Sequence, residues 1–314
     1  FMENSQFISI IIPVFNEEES LEILYAEISE ILNQYPKWEI IFIDDGSHDG
    51  SYSIMKKIAD QNHNISIVHF FKNFGKADAL SEGFNQSKGD IIITMDADLQ
   101  DDPSEIPSLI EKIQKGWDVV SGWKKNRQDP LSKKIPSRLF NFVTRILTGI
   151  KIHDFNCGLK AYKRKVINSI DVYGGLHRYI PVLASQKGFS VSEIEVNHRA
   201  REFGQTKYGG NRFFHGFFDL FTMLFTGKYF NRPLHFFGFI GIILFMTGII
   251  VSFYLTIGWL QGIWIGNRPI FFLGILLLIV GIQLFSLGLL GELFIKNTVQ
   301  SEKKVRYIYK TKQD

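Results

Sequence analysis

Several things are scarce in this chain, and each shortage narrows what it can be. A single cysteine, Cys157, among 314 residues excludes a disulfide scaffold. With no partner motif beside it, Cys157 reads as a small buried apolar residue rather than a nucleophile. His48, His63, His69 and His177 show no metal-ligand spacing. No large excess of one charge marks the chain: 35 Lys and Arg face 32 Asp and Glu, which excludes a uniformly basic nucleic-acid binder. At 45% hydrophobic residues it is no disordered chain. Internal repeats and low-complexity segments are missing too. The first apolar run, Phe7–Val14, is too short for a secretory core and lacks a basic flank, so no cleaved leader is expected.

Charge itself is scarce in one place. Between residues 234 and 291 the only Asp, Glu, Lys or Arg is Arg268. Leu234–Leu260 runs 27 residues and Ile270–Gly291 runs 22 without any of the four. About 20 apolar residues at 1.5 Å each cross the ~30 Å hydrocarbon layer, so two transmembrane helices are expected, joined by the short turn Gln261–Pro269. A mean hydropathy of +0.02 conceals this, because it averages two unlike parts. Residues 1–233 carry 29 acidic and 28 basic groups, whereas the remainder carries 3 and 7. Lys228 and Arg232 precede the first span, and Lys296, Lys303, Lys304 and Arg306 follow the second. The positive-inside bias then puts both termini in the cytoplasm, as for a multi-pass protein of the cytoplasmic (inner) membrane. The tail Lys303–Lys312 suits anionic lipid headgroups rather than nucleic acid. Glycines at 274, 281 and 288 recur every seven residues and, with Gly238, Gly241 and Gly248, allow close helix pairing within the chain or between chains as a homo-oligomer.

Ahead of the spans, β-rich runs alternate with helical patterns. Ile8–Val14, Glu39–Ile43, Ile65–Phe70, Asp90–Met95 and Asp118–Gly122 read as strands. Glu18–Asn33, Tyr52–Asn62, Lys76–Gln86 and Pro103–Lys115 read as helices. This alternation predicts an α/β domain with a mainly parallel sheet and helices on both faces. Beyond it come helices at Ser137–Leu147 and Arg178–Gln186 and an alternating strand Phe189–Asn197. Phe214, Phe217, Phe218, Phe221, Leu224 and Phe225 then recur at three- and four-residue steps. Such an amphipathic aromatic helix before a span is expected at the membrane interface. The expected divisions are a catalytic domain over 1–208, an amphipathic juxtamembrane region over 209–232, a helical hairpin over 233–296 and a basic tail over 297–314.

The polar clusters fall at strand ends, where ligands gather in such sheets. Ile91-Ile92-Ile93-Thr94-Met95-Asp96-Ala97-Asp98 delivers two carboxylates from a buried strand. Hard oxygen ligands suit Mg²⁺ or Mn²⁺, with Mg²⁺ taking one or two carboxylates plus substrate phosphates. The pair would otherwise repel, so a dication with a diphosphate is its natural compensation; a bare helix-capping turn is the plainer reading. Asp44-Asp45-Gly46-Ser47 suits a nucleoside, because a carboxylate accepts hydrogen bonds from base or ribose groups; here the plainer reading is an Asp-Gly turn. Pro13-Val14-Phe15-Asn16-Glu17 adds a rigid turn and an aromatic face. Glu17-Glu18-Glu19 otherwise reads as acidic charge at a helix start.

With Asn73-Phe74-Gly75-Lys76 and Asp96-Ala97-Asp98-Leu99-Gln100-Asp101-Asp102-Pro103, these motifs resemble family 2 glycosyltransferases of the GT-A fold. The chain is most similar there to polyprenol-phosphate glycosyltransferases, the dolichyl-phosphate-mannose-synthase-like group, and its two spans point to bactoprenol glucosyltransferases. Arg201-Glu202-Phe203-Gly204-Gln205-Thr206-Lys207-Tyr208 is specific to the group, except that Thr206 stands where Ser is usual; Asp102 stands where Pro is frequent. The resemblance implies transfer of a hexose, glucose from UDP-glucose foremost, to a polyprenyl phosphate such as undecaprenyl phosphate. Asp96 and Asp98 would then hold the metal, with Gln100 beside them. Pro13, Phe15, Glu17 and Asp45 would hold the nucleoside, with Asp44 shaping its pocket. Lys124 and Arg127, unless merely a solvated basic loop, would grip phosphates, as would Arg138, Arg178, Arg201 and Lys207. Asp154 matches the position treated as catalytic in the family. A phosphate monoester is already anionic near neutral pH, its second pKa being ~6, so cations that position it matter more than a strong base. Two rivals stand beside this reading. A processive polysaccharide synthase would carry Gln-x-x-Arg-Trp and more spans, both missing here. A catalytically inactive nucleotide-binding scaffold would have no use for the Asp96/Asp98 pair.

Overall fold

A computed structural model describes residues 6–125, 131–170, 176–200 and 233–298. The chain divides into two compact units, Phe1–Met223 and Leu224–Asp314. In the first, β1 (Ile8–Val14), β2 (Trp38–Asp44), β3 (Ile65–His69), β4 (Ile91–Thr94), β5 (Val119–Trp123), β6 (Lys160–Lys163) and β7 (Val191–Glu195) form one sheet. Its order is β3-β2-β1-β4-β6-β5-β7. All neighbours run parallel except β6, which is antiparallel to both β4 and β5. The mainly parallel sheet is therefore mixed at one strand that the hydrophobic pattern does not announce.

Alternation along the strands explains how both faces are covered. In β1, Ile8, Ile10, Ile12 and Val14 pack with α1 (Leu21–Leu32), α2 (Ser51–Gln61) and α4 (Ile106–Gln114). Ile11, Ile41, Ile43 and Ile92 face the other way, toward α3 (Lys76–Gln86), α6 (Arg164–Ile167) and α7 (Ile180–Gln186). A strand buried on both faces reads as a continuous apolar run, which is why Ile8–Val14 and Ile91–Thr94 carry almost nothing else. α5 (Leu131–Thr148) begins earlier than the expected Ser137. α1 begins later than expected: Glu17, Glu18 and Glu19 lie in the loop before it, where Glu18 Oε2 accepts the Gly50 N–H at 2.6 Å.

In the second unit a π-helical turn, Leu234–Gly238, leads into α8 (Phe239–Leu260), and α9 (Pro269–Thr298) returns. Leu234–Leu260 and Pro269–Phe294 are long and apolar enough to cross a membrane. Only 17% and 11% of their most apolar stretches are buried within the structure, whereas the core helices of a soluble protein would be mostly buried. The seven-residue glycine spacing is resolved as pairing inside the chain. A Cβ on Gly281 would lie 2.7 Å from the Phe245 backbone nitrogen, one on Gly241 2.7 Å from the Gly281 carbonyl, and one on Gly288 3.1 Å from Leu234 Cα. The amphipathic region expected over 209–232 lies outside the described residues, as do Arg127, Arg201 and Lys207 and the tail beyond 298.

Candidate active site

β1 has β2 on one side and β4 on the other, so successive crossovers diverge there and leave a crevice at the strand carboxyl ends. Three of the sequence motifs meet at it. Asn16, which follows β1, adopts φ 51°, a left-handed conformation that asparagine tolerates better than most residues. It is held there by the second motif: its N–H donates to Ser47 Oγ at 3.0 Å and its Oδ1 accepts the His48 N–H at 2.8 Å. The Glu17 N–H donates to Ser51 Oγ at 2.9 Å. Pro13, Phe15 and Glu17 are all half-buried at this edge.

The two aspartates that end β2 divide their work. Asp44 is fully buried; its Oδ1 accepts the Ser47 N–H at 2.9 Å and its Oδ2 lies 2.7 Å from His69 Nδ1. It therefore builds the turn. Asp45, 4% exposed, accepts the Phe74 N–H at 2.7 Å and the Gly75 N–H at 2.9 Å. Burial raises its pKa although both amides pull the other way. Gly46 has φ 70°, and a side chain there would collide with the Lys72 and Asn73 backbone, so the 72–76 loop lies directly on this turn.

Beyond β4 the chain turns sharply through Leu99, at φ 59°. The Gln100 N–H donates to Asp98 Oδ1 at 3.3 Å, and the Asp96 N–H to Asp101 Oδ2 at 3.3 Å. Asp102 caps the helical turn Pro103–Glu105 and, at 2.8 Å, accepts from Arg199, which also grips Glu27 of α1. The residue that departs from the frequent proline is thus a bracket for the acidic turn.

The surprise is how the acids are compensated. Lys76, first residue of α3, forms an ion pair with Asp96 Oδ1. Lys124 is buried, its Nζ 2.7 Å from Asp101 Oδ1. Lys160, 3% exposed on β6, donates to the Cys157 carbonyl. Burial would raise the Asp96 pKa, but the Lys76 ammonium, with Lys124 and Lys160 behind it, holds it at about 2. Burial also pushes the Lys160 ammonium down and the Cys157 thiol up to about 12, so that thiol is inert. Lys124, which the sequence pairs with Arg127 as a candidate phosphate grip, lies in the charged centre, where Asp101 keeps it protonated against burial.

β6 delivers the other half of the centre. Thr94 Oγ1 donates to the Gly158 carbonyl at 2.8 Å, and a Cβ on Gly158 would lie 2.6 Å from the Asp96 carboxylate. Asp154 is 2% exposed; its Oδ1 accepts the Asn156 N–H at 3.0 Å, while its Oδ2 is buried without a hydrogen-bond partner. These residues fit a hard dication. Asp96 stays ionised and about one third exposed, Gly158 leaves its cradle open where any side chain would fill it, and the donors are oxygens. Among the described residues no group of three or more His, Cys, Asp or Glu could hold a metal unaided.

Of the other expected phosphate-binding cations, Arg138 is exposed on α5 and Arg178 is half-buried in the turn Leu176–Tyr179. His177 beside it has a buried Nδ1 without a partner, and burial together with Lys76 and Arg178 keeps its ring neutral. Lys76, Asp101, Lys160 and Gly158 carry the charged centre; Lys76 and Asp101 stand in the sequence motifs without a role assigned to them, and Lys160 and Gly158 are not marked at all. Four acids within Asp96–Asp102 signal Asp101; nothing local signals Lys160, because β6 itself is silent.

Comparison with known proteins fits this geometry. Residues 9–171 match the family described as "Glycosyl transferase family 2". Dodecaprenyl-phosphate galacturonate synthase of Rhizobium johnstonii is 35% identical over 96% of this chain and 91% of its own. Undecaprenyl-phosphate 4-deoxy-4-formamido-L-arabinose transferase of Pectobacterium carotovorum is 37% identical over 91% of this chain and 87% of its own. Among solved structures, glucosyl-3-phosphoglycerate synthase of Mycobacterium tuberculosis superposes with a TM-score of 0.56 at 20% identity, over 70% of this chain and 79% of that one. The same enzyme with Mn²⁺, UDP-glucose and phosphoglyceric acid gives 0.56 at 18% identity, over 70% and 80%. At such identities the likeness shows the shared fold.

Proposed function

Because this chain belongs to glycosyl transferase family 2 and has the GT-A fold, we propose that it transfers a sugar from a UDP-sugar to a polyprenyl phosphate. The observation that carries this reading is the convergence of Asp45, Asp96 and Gly158 at adjacent strand ends, with lysines meeting the acids. The acceptor follows the polyprenyl-phosphate relatives, which align along more than nine tenths of this chain. The two apolar helices suit a substrate fixed at the headgroup plane, and the flanking cations favour the cytoplasmic face of the inner membrane.

In this reading Pro13, Phe15, Glu17 and Asp45 hold the nucleoside on the turn that Asp44 builds. Asp96 and Asp98, with Gln100 alongside, would hold Mg²⁺ or Mn²⁺, which as a Lewis acid neutralises charge on the departing diphosphate. Arg138, Arg178, Arg201 and Lys207, with Arg127, supply the cations for donor and acceptor phosphates, while Lys124, buried against Asp101, offsets the charge of the acidic turn. The acceptor oxygen is anionic near neutral pH and needs orienting rather than deprotonating. It forms its bond to the anomeric carbon as the bond to the diphosphate breaks on the opposite face, so the product is inverted. Asp154, with one buried oxygen free, orients a sugar hydroxyl or a cation rather than removing a proton.

The test gives the full chain in lipid nanodiscs undecaprenyl phosphate and labelled UDP-glucose, UDP-galacturonate, UDP-4-deoxy-4-formamido-L-arabinose or GDP-mannose, with Mg²⁺ or Mn²⁺. Lipid-linked glucose is the expected product, and no lipid-linked product from any pairing would overturn the proposal. In the same assay Asp154→Asn retains turnover within about tenfold and Arg201→Ala does not; the reverse order would make Asp154 a base.

A further inference from the structure

We propose that Lys76 competes with the metal for Asp96, holding the carboxylate while the dication is away and turning to the donor diphosphate once it is displaced. This rests on Asp96 being a metal ligand, as read above. Three observations single out Lys76. First, it is the cation in this centre that is able to move. Lys124 is 8% exposed and committed to Asp101, and Lys160 is 3% exposed and tied to the Cys157 carbonyl. The side chains of Lys76 and Asp96 are 26% and 33% exposed, so solvent reaches the contact they share.

Second, the contact is crowded. The Gly158 backbone backs onto both Asp96 oxygens, 2.6 and 2.7 Å from where its Cβ would stand. An ammonium and a dication must therefore approach from the same remaining side, and their mutual repulsion in a partly desolvated site forbids sharing. Third, the lysine's root and head belong to different halves of the site. Its stem leaves α3 immediately after Phe74 and Gly75, whose amides are fixed on Asp45, while its head reaches Asp96. A diphosphate joined to a nucleoside at Asp45 would lie within the arc of that side chain. The displaced ammonium then finds a new anion, so metal and nucleotide help each other bind through one lysine.

Mn²⁺ binding to the full chain in nanodiscs, followed by the EPR signal of free Mn²⁺ without nucleotide, tests this. Lys76→Met and Lys76→Gln are expected to bind Mn²⁺ about tenfold more tightly than the parent, and UDP at saturating Mn²⁺ about tenfold more weakly. Lys76→Arg, which keeps the charge, stays near the parent in both. A lysine that merely supported the fold would weaken both affinities together. Unchanged or weaker Mn²⁺ binding in both neutral variants, while Asp96→Asn abolishes binding, would overturn the role of Lys76 alone. Mn²⁺ binding that survives Asp96→Asn would overturn the metal reading and this inference with it.

Discussion

Replacing Gly158 with alanine would put a methyl carbon where Asp96 already stands. The new Cβ would lie 2.6 Å from the Asp96 carboxylate, against the 3.4–4 Å of ordinary contact. The missing distance, about 1 Å, has to come from somewhere. The Gly158 backbone cannot supply it, because its carbonyl holds Thr94 Oγ1 at 2.8 Å and the next carbonyl, of Leu159, holds the Gly122 N–H at 2.9 Å. Asp96 must therefore swing outward, disturbing its contact with Lys76 and, on the proposed reading, its hold on the metal. A displacement of about 1 Å at a reacting centre lowers turnover by about 100-fold. The strain on folding is smaller, about 1–3 kcal/mol for one added methyl in a packed site. The variant should then remain folded, with kcat for lipid-linked sugar down about 100-fold and Mn²⁺ affinity reduced in parallel. Parent-like kcat together with parent-like Mn²⁺ binding would refute the claim that Gly158 sets the position of Asp96.

Two further predictions concern stability. Asp118 accepts the Ser190 N–H at 3.0 Å and faces Lys165 at 2.7 Å; although burial opposes them, these partners lower its pKa from 3.8 to about 2. A depressed carboxylate stabilises the fold above its unfolded pKa, and the contribution disappears as pH falls through the folded value. Asp118→Asn should therefore lower the unfolding free energy by about 1–2 kcal/mol near neutral pH, after allowing for solvent at the half-exposed Lys165, with the gap closing between pH 4 and 2. Urea midpoints across that range check it, and a gap independent of pH would count against it. In the helical pair, Gly281→Val meets the Phe245 backbone nitrogen 2.7 Å from its Cβ, which no rotamer relieves. The helices must part, at about 1–3 kcal/mol, seen as a lower SDS-unfolding midpoint of the full chain.

The legible parts of this molecule are those whose residues bury themselves without help. Ile8–Val14 and Lys76–Gln86 are found with the bounds expected, because a run of Ile and Val interrupted only by Ser9 and Pro13 and an amphipathic period each specify one structure. β6 reads Lys-Ala-Tyr-Lys, and only pairing with β4 and β5 makes it a strand. Tertiary context likewise decides the start of α1, where Glu18 prefers the Gly50 amide to a helical turn. In the site, the carboxylates announce themselves at strand ends and their partners do not. Asp96 and Asp98 read as a carboxylate pair awaiting a dication, yet Lys76, 20 residues earlier on a different element, already meets Asp96. The seven-residue glycine spacing marks a helix contact, but only the close approach of Gly241 and Gly281 says that the contact is within one chain.

The reversed strand has a consequence for how the molecule comes into being. β4 and β5 do not touch; β6 is the wedge that joins them, and it is made some forty residues after β5. A growing chain halted after Trp123 would own the turns after β1 and β2 and the acidic turn, yet lack the Gly158 backbone against which Asp96 is set and the Lys160 ammonium behind it. Assembly of the chemical centre is thus postponed until the sheet is nearly complete. An incomplete chain would carry the turns proposed to hold the nucleotide without the backbone that sets the carboxylate proposed to act on it.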